Sequence, residues 1–302
     1  MPEGPTALGE GKFSWVAIQH GPESKIGSLN IFDVATGQNT TYPLPGRPGF
    51  AKPTSNPNKF IVGCERQLGI FDIRDSSWTT LADGIDEDVE NTIINDGTLY
   101  ANNIVFGTKD LEFKTPKAGL YLYRGSDQKL IRLRNDQICS NGKDVVDLGD
   151  GGLSLLDIDS PTKKVVRYRI DIESGELTDC KTLIDLGDLP AVPDGMICTP
   201  DEQSIIISFY NPNPAEFGET RQYSLLTGDL ERVWLTPDSP QATCPLLLEV
   251  APGEIKLIIT TAVEYMSIEQ QKSAVSAGGI FVADSGFPTA PSSPAYPLKV
   301  LA

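Results

Sequence analysis

Histidine is almost absent from this chain: His20 is the only one in 302 residues. A triad built on an imidazole would have to use it, and it sits beside Gly21-Pro22, which reads as a loop. The five cysteines (Cys64, Cys139, Cys180, Cys198 and Cys244) are odd in number and contain no CxxC pair. That excludes a zinc ribbon and argues against a disulfide framework, leaving buried free thiols in a reducing, cytoplasmic compartment as the expectation. No stretch approaches the roughly 18 uninterrupted apolar residues of a membrane helix. Met1-Pro2-Glu3-Gly4-Pro5 shows no basic segment followed by an apolar one, so no signal peptide is expected. Without one, the sequon Asn39-Thr40-Thr41 is read as chance. Basic residues are also short, 25 against 41 acidic ones, for a net charge of −16. Such a chain repels nucleic acid and anionic membrane surfaces, so neither is an expected partner, and it favours cations; solubility alone would explain the same charge.

Helical periodicity is nearly missing as well. Short runs rich in Val, Ile, Leu, Tyr and Phe recur instead, bounded by Gly, Pro, Asp and Asn. They include Phe13 to Ile18, Ser28 to Val34, Leu68 to Ile73, Thr98 to Phe106, Lys164 to Ile170, Ser204 to Phe209 and Ile255 to Thr260. Several end in one turn pattern: Asp33-Val34-Ala35-Thr36-Gly37, Asp171-Ile172-Glu173-Ser174-Gly175 and Leu225-Leu226-Thr227-Gly228, with Asp72 to Ser76 as a variant lacking glycine. A hairpin turn reused at these intervals suits units of about 40–50 residues, and about six of them would fill the chain. The expected architecture is all-β, a six-bladed β-propeller with four-stranded blades, as one domain over 1–302. Leu298 to Leu301 is expected either to pair with another strand and close the ring or to trail as a tail. Ser267 to Ala277 is the one place where a short helix or an insertion loop fits. The acidic stretch Asp83 to Glu90 lacks the spacing of a calcium loop and reads as a solvated connection.

Four islands stand out against this background: Glu3-Gly4-Pro5, Asn95-Asp96-Gly97, Asn141-Gly142 and Asp194-Gly195. Each pairs a carboxylate or amide with a glycine. Oxygen ligands of this kind suit a hard divalent cation, most readily Ca²⁺, with Mg²⁺, Mn²⁺ or Zn²⁺ as alternatives. Taken singly, the same islands are ordinary turns between strands.

In order and context the islands resemble the regucalcin–gluconolactonase family, and its relative the calcium-dependent diisopropyl-fluorophosphatase. Glu3-Gly4-Pro5 precedes Trp15-Val16-Ala17-Ile18 by about a dozen residues, a position for which Glu10-Gly11 is a poorer rival. Asn95-Asp96-Gly97 leads to Phe106-Gly107-Thr108, Asn141-Gly142 to Asp159-Ser160, and Pro193-Asp194-Gly195-Met196 closes the series. The resemblance implies a six-bladed propeller with a metal at the top of its central channel. It implies metal ligands at Glu3, Asn141 and Asp194, with Asn95 as a further ligand or a substrate contact. Glu112 falls where an acidic substrate-facing residue is frequent. One departure matters: sugar-lactonase members carry an Arg two residues before the Asn-Asp-Gly motif, and here that position is Ile93.

The implied activity is metal-dependent hydrolysis of a lactone or similar ester, the cation acting as Lewis acid and Asp194 as general base or nucleophile. The expected partner is a small-molecule substrate, more apolar than a sugar lactone or of a different kind altogether, and no segment specifies an oligomeric state. The alternative is a non-catalytic calcium-binding propeller that binds a small molecule or protein on its open face.

Overall fold

The computed structural model describes residues 1–21, 23–147 and 152–298. Six antiparallel sheets follow one another in sequence as the blades of a ring. Blade 1 comprises β1 (Pro2–Gly9), β2 (Lys12–Ala17), β3 (Ser28–Asp33) and β4 (Gln38–Pro43); blade 2 comprises β5 (Pro48–Pro53), β6 (Lys59–Cys64), β7 (Gln67–Asp72) and β8 (Ser77–Ala82). Blade 3 comprises β9 (Thr92–Tyr100), β10 (Asn103–Asp110), β11 (Ala118–Arg124) and β12 (Lys129–Gln137). Blade 4 runs through β13 (Ser140–Asp147), β14 (Leu153–Asp159), β15 (Lys164–Asp171) and β16 (Glu176–Asp185). Blade 5 runs through β17 (Val192–Cys198), β18 (Ser204–Tyr210), β19 (Phe217–Ser224) and β20 (Leu230–Pro237). Blade 6 has three strands among the described residues, β21 (Ala242–Ala251), β22 (Glu254–Thr261) and β23 (Ile280–Asp284). Where a fourth would follow, the chain carries Pro288, Pro291, Pro294 and Pro297, which cannot donate to a ladder.

Burial explains why these sheets form a ring. The apolar residues divide into six clusters, one for each interface between neighbouring blades. Phe60 and Val62 meet Val16 and Leu29 between blades 1 and 2. Phe50 and Ile61 meet Ile94 and Phe106 between blades 2 and 3, and Leu120 meets Leu155 between blades 3 and 4. Leu156 packs with Ile207 between blades 4 and 5, and Ile206 with Leu257 between blades 5 and 6. The sixth cluster sets Phe13 of blade 1 against Leu246, Leu248 and Ile258 of blade 6 and closes the circle. A sheet with both faces covered reads as short continuous apolar runs, the pattern seen in the sequence.

The reused turn lies on the outer hairpins. Gly37, Gly175 and Gly228 all have positive φ, and each N–H bonds back to the carbonyl four residues earlier. In the glycine-free variant Ser76 takes the left-handed conformation instead. The run Thr98 to Phe106 proves to be two strands, because Ala101, also at positive φ, turns the chain between β9 and β10. Within the Ser267 to Ala277 region, α1 (Ile268–Ser273) forms with a capping box between Ser267 and Gln270. The acidic stretch is not all solvated: Asp86 is buried, accepting from the Tyr121 hydroxyl at 2.6 Å and from Thr108.

Among the described residues the C-terminal segment makes one isolated bridge and no strand. Tyr296 bridges to Thr54 of blade 2 in parallel, while Lys299 to Leu301 lie outside the described residues. On its way this segment crosses one end of the central channel, where Pro291 and Ser292 cover a cavity of about 390 Å³ lined by Lys52, Asp144 and Cys198.

Candidate metal and substrate site

The innermost strand of every blade is bulged near the same end. Each has one residue more than its partner spans, at Gly4-Pro5, Gly49, Asn95-Asp96, Asn141-Gly142, Asp194-Gly195 and Thr243. A bulge re-aims a side chain out of the alternating pattern. Here the belt of bulges turns Glu3, Asn95, Asn141 and Asp194 to the channel, so the islands are strand interiors rather than turns.

The glycines have a different role from a sharp backbone turn. Only Gly4 has positive φ, at 53°. A Cβ on Gly142 would stand 2.6 Å from the Met196 nitrogen and 2.7 Å from the Asp194 carbonyl oxygen. One on Gly195 would stand 2.8 Å from the Thr243 carbonyl oxygen, and one on Gly49 only 1.8 Å from that of Asn95. Without side chains there, the inner strands approach closely enough to share the channel wall. The belt closes through the Thr243 hydroxyl, which donates to the Pro2 carbonyl at 2.9 Å.

Glu3, Asn95, Asn141 and Asp194 line one cavity of about 300 Å³ at this end, together with Met1, Lys109, Phe113, Cys139, Ser160, Pro161, Val192, Tyr210, Pro212, Glu264 and Tyr265. The amides are held by their nitrogens. Asn95 Nδ2 donates to the Ser140 carbonyl and to Asn141 Oδ1, both at 2.9 Å, and Asn141 Nδ2 donates to Ser160 Oγ at 2.8 Å. Asp159 accepts from the Cys139 N–H at 2.8 Å and so fixes the turn that presents Ser160. Lys143, beneath the belt, donates to the carbonyls of Asp96 and Asn141 and pins two adjacent bulges.

The two carboxylates are shifted in the same direction. Burial pushes the Glu3 carboxyl well above its ordinary range, and Asp194 nearby adds to the shift. Burial likewise raises Asp194; Lys109 opposes this, and Asp96 and Glu264 reinforce it. Hydrogen bonds play no part in either shift. Glu3, partly buried, and Asp194, buried, accept no hydrogen bond among the described residues, and with the amide oxygens of Asn95 and Asn141 they form a donor set that fits a hard divalent cation. No group of three His, Cys, Asp or Glu side chains converges among the described residues, so the set depends on the amides. Cys139, also in the wall, lies 3.6 Å from Asn141 Nδ2; burial raises its thiol pKa, and sulfur is a softer ligand than a hard cation prefers.

Other expectations fall elsewhere. Glu112 is exposed just beyond β10 and does not line the cavity; the acidic wall residue besides the two candidate ligands is Glu264. Gln241 clasps the Glu264 backbone with two bonds of 2.8 Å. His20 is exposed and apart from the cavity, and Glu10 lines a groove that includes Pro288 to Ala295. Sequence reasoning missed Lys109, Tyr210 and Glu264. Lys109 pairs across the ladder with Ile93, so a cation stands opposite the position where the expected arginine is lacking.

Residues 1–263 match the model of the SMP-30/Gluconolactonase/LRE-like region. The chain belongs to this family. Over 250 residues it is 26% identical to an L-arabinolactonase of Azospirillum brasilense, covering 82% of this chain and 77% of that enzyme. A shorter match, 38% identical over 90 residues, links it to an uncharacterized protein of Sulfolobus acidocaldarius and spans 30% of this chain and 31% of that protein. Among solved structures, a calcium-binding regucalcin from Agrobacterium tumefaciens superposes with a TM-score of 0.81 at 20% identity, covering 99% of this chain and 94% of that one. The six-bladed propeller expected from the sequence is thus the fold of this family member.

Proposed function

We propose that this family member is a divalent-metal-dependent hydrolase of a lactone or related ester, working as one propeller domain over 1–302. The observation that carries this reading is the convergence of Glu3, Asn95, Asn141 and Asp194, from four blades, on one cavity large enough for a small molecule. The lactonase among the relatives supports the reaction class, and the calcium-binding structural neighbour agrees with the donor set in favouring Ca²⁺. The free, mostly buried cysteines support a reducing compartment such as the cytoplasm.

Glu3, Asn141 and Asp194 would hold the cation, with Asn95 as a fourth oxygen. When bound, the ion supplies Lewis acidity toward the substrate carbonyl and relieves the repulsion between Glu3 and Asp194. Asp194 is the one ligand carboxylate that is almost fully buried, and it accepts the proton of an attacking water. The water oxygen bonds to the acyl carbon, the ring C–O bond breaks, and the departing oxygen takes up a proton. Asn95, held by its amide nitrogen, presents an oxygen that orients the water or the substrate. The apolar walls exclude bulk solvent around the reacting ester.

A lactone screen with and without EDTA tests the reading. Turnover should require the metal, return with Ca²⁺, and fall at least about 100-fold in Asp194→Ala. If EDTA lowers only the melting temperature and no ester turns over, the protein is a calcium-binding module and this reading fails.

A further inference from the structure

Lys109 is the least expected group in the cavity. It comes from β10, the second strand of its blade, all of whose residues are buried, and its own exposure is 6%. Its ammonium has no hydrogen-bond acceptor and no carboxylate within 4.0 Å among the described residues. Its Nζ stands over the Phe113 ring, 5.6 Å from the centroid. Burial lowers the pKa of this amine, and the surrounding acidic groups, Glu264 foremost, more than offset it. An ammonium buried without direct partners is costly, and three N–H donors lack acceptors in a cavity that otherwise offers few.

The rest of the wall limits what could satisfy them. Phe113, Val192, Pro212 and Tyr265 are apolar or aromatic, the Tyr210 hydroxyl is already used on the Glu264 carbonyl at 3.2 Å, and Ser160 and Glu264 are the polar side chains left besides the ligand set. Outside the ligand oxygens and Lys109, only the Ser160 hydroxyl and the Glu264 carboxylate could meet the hydroxyls of a polyhydroxylated sugar ring, which has more of them than these two can satisfy, and each one buried unpaired weakens binding. Charge narrows the class further. A divalent ion balances Glu3 and Asp194, and Lys109 balances Glu264, so a neutral substrate leaves no surplus charge whereas an anionic one does.

We propose that Lys109 is the substrate-binding residue of this site, donating to a lactone oxygen, and that it selects uncharged lactones carrying an alkyl or aryl substituent over sugar lactones. This rests on the hydrolase reading above for the word lactone but not for the role of Lys109. The substituent lies against Phe113, Val192 and Tyr265, and the ester oxygens face Lys109 and the ligand oxygens.

The test is binding of a hexyl-substituted γ-lactam, a non-hydrolysable counterpart, measured by calorimetry on the calcium-loaded protein, with a polyhydroxylated sugar lactam as competitor. Lys109→Met should weaken alkyl-lactam binding about tenfold or more, the loss expected for one charge-assisted hydrogen bond, while Lys109→Arg keeps most of the affinity. Calcium affinity of Lys109→Met should be equal or tighter, because a nearby positive charge has gone, which also shows that the site is folded. Equal lactam binding by Lys109→Met and the parent, or preference for the sugar lactam, overturns the proposal. Lys109-dependent lactam binding without turnover of any lactone would sink the hydrolase reading and leave this one standing. Lactone turnover with KM unchanged in Lys109→Met would do the reverse.

Discussion

Asp110 and Asp194 are both buried carboxylates on channel-end strands, and their surroundings are opposite. Asp110 accepts from the N–H groups of Thr115 at 2.9 Å, Lys114 at 3.1 Å and Glu112 at 3.2 Å, with the Lys117 ammonium 3.1 Å away. Burial alone would raise its pKa, but these donors hold it down at about 2. Asp194 receives no such donor and is pushed up. The fold therefore satisfies the carboxylate that shapes the loop after β10 and leaves unsatisfied the one that faces the cavity. The same contrast separates neighbours on β10, since Asp110 is fully paired and Lys109 is not. Unlike the unpaired oxygen of Asp157, which is enclosed in the interior, Asp194 and Lys109 face a cavity, where a ligand can supply the missing partners.

The sharpest way to break the comparison is to remove the satisfied member. Asp110→Ala leaves three backbone donors and an ammonium without their acceptor, and should destabilise the protein by about 3 kcal/mol in urea unfolding, with the metal present or absent. An equal stability for Asp110→Ala would mean that its bonds do not matter to the fold.

The pH response should split the two carboxylates in opposite directions. Asp110 is lowered in the folded state, so its contribution of about 2 kcal/mol is present above the ordinary carboxylate pKa and is lost as pH falls from about 4 toward 2. Glu3 and Asp194 are raised, so the folded metal-free protein binds more protons than the unfolded chain, and its stability falls as pH rises above about 4. Calorimetry in EDTA should therefore show the melting temperature of the metal-free protein declining toward neutral pH, and the gain from added Ca²⁺ growing over the same range. A Ca²⁺ effect independent of pH would separate the ion from these two groups.

The smallest expected effect is the most diagnostic. Asp194→Asn removes an uncompensated charge and should raise the stability of the metal-free protein by about 1 kcal/mol, on the order of 2 °C, at neutral pH. In the same variant the stabilisation by Ca²⁺ should shrink. Differential scanning calorimetry with and without the ion reads both, and a lower melting temperature in EDTA would show that Asp194 has a structural partner after all.

The features legible in the sequence were the local ones. Outer hairpins announced themselves through Asp33 to Gly37 and Asp171 to Gly175, because a positive φ and an Asp accepting nearby N–H groups are chemistry contained within five residues. The innermost strands were mostly overlooked. In β1, β13 and β17 a bulge at Gly4-Pro5, Asn141-Gly142 or Asp194-Gly195 interrupts the alternation that signals a strand, so the sequence there resembles a turn. Glu3, Asn95, Asn141 and Asp194 could be singled out because each carries its glycine, and the reason for Gly142 and Gly195, room for the next blade, is visible only in the folded ring.

By itself the sequence determined the strand-and-turn repeat, the excess of acid, the lack of imidazole and the four oxygen-bearing islands, since each is written in residue type and short-range spacing. The tertiary structure decided which groups share one cavity. Lys109 reaches it from a second strand, Glu264 from the long connection after β22, and Tyr210 from the end of β18. Nothing in the spacing of residues 109, 210 and 264 relates them. They meet because six apolar interfaces close a ring, and a closed ring brings one end of every blade to the same axis.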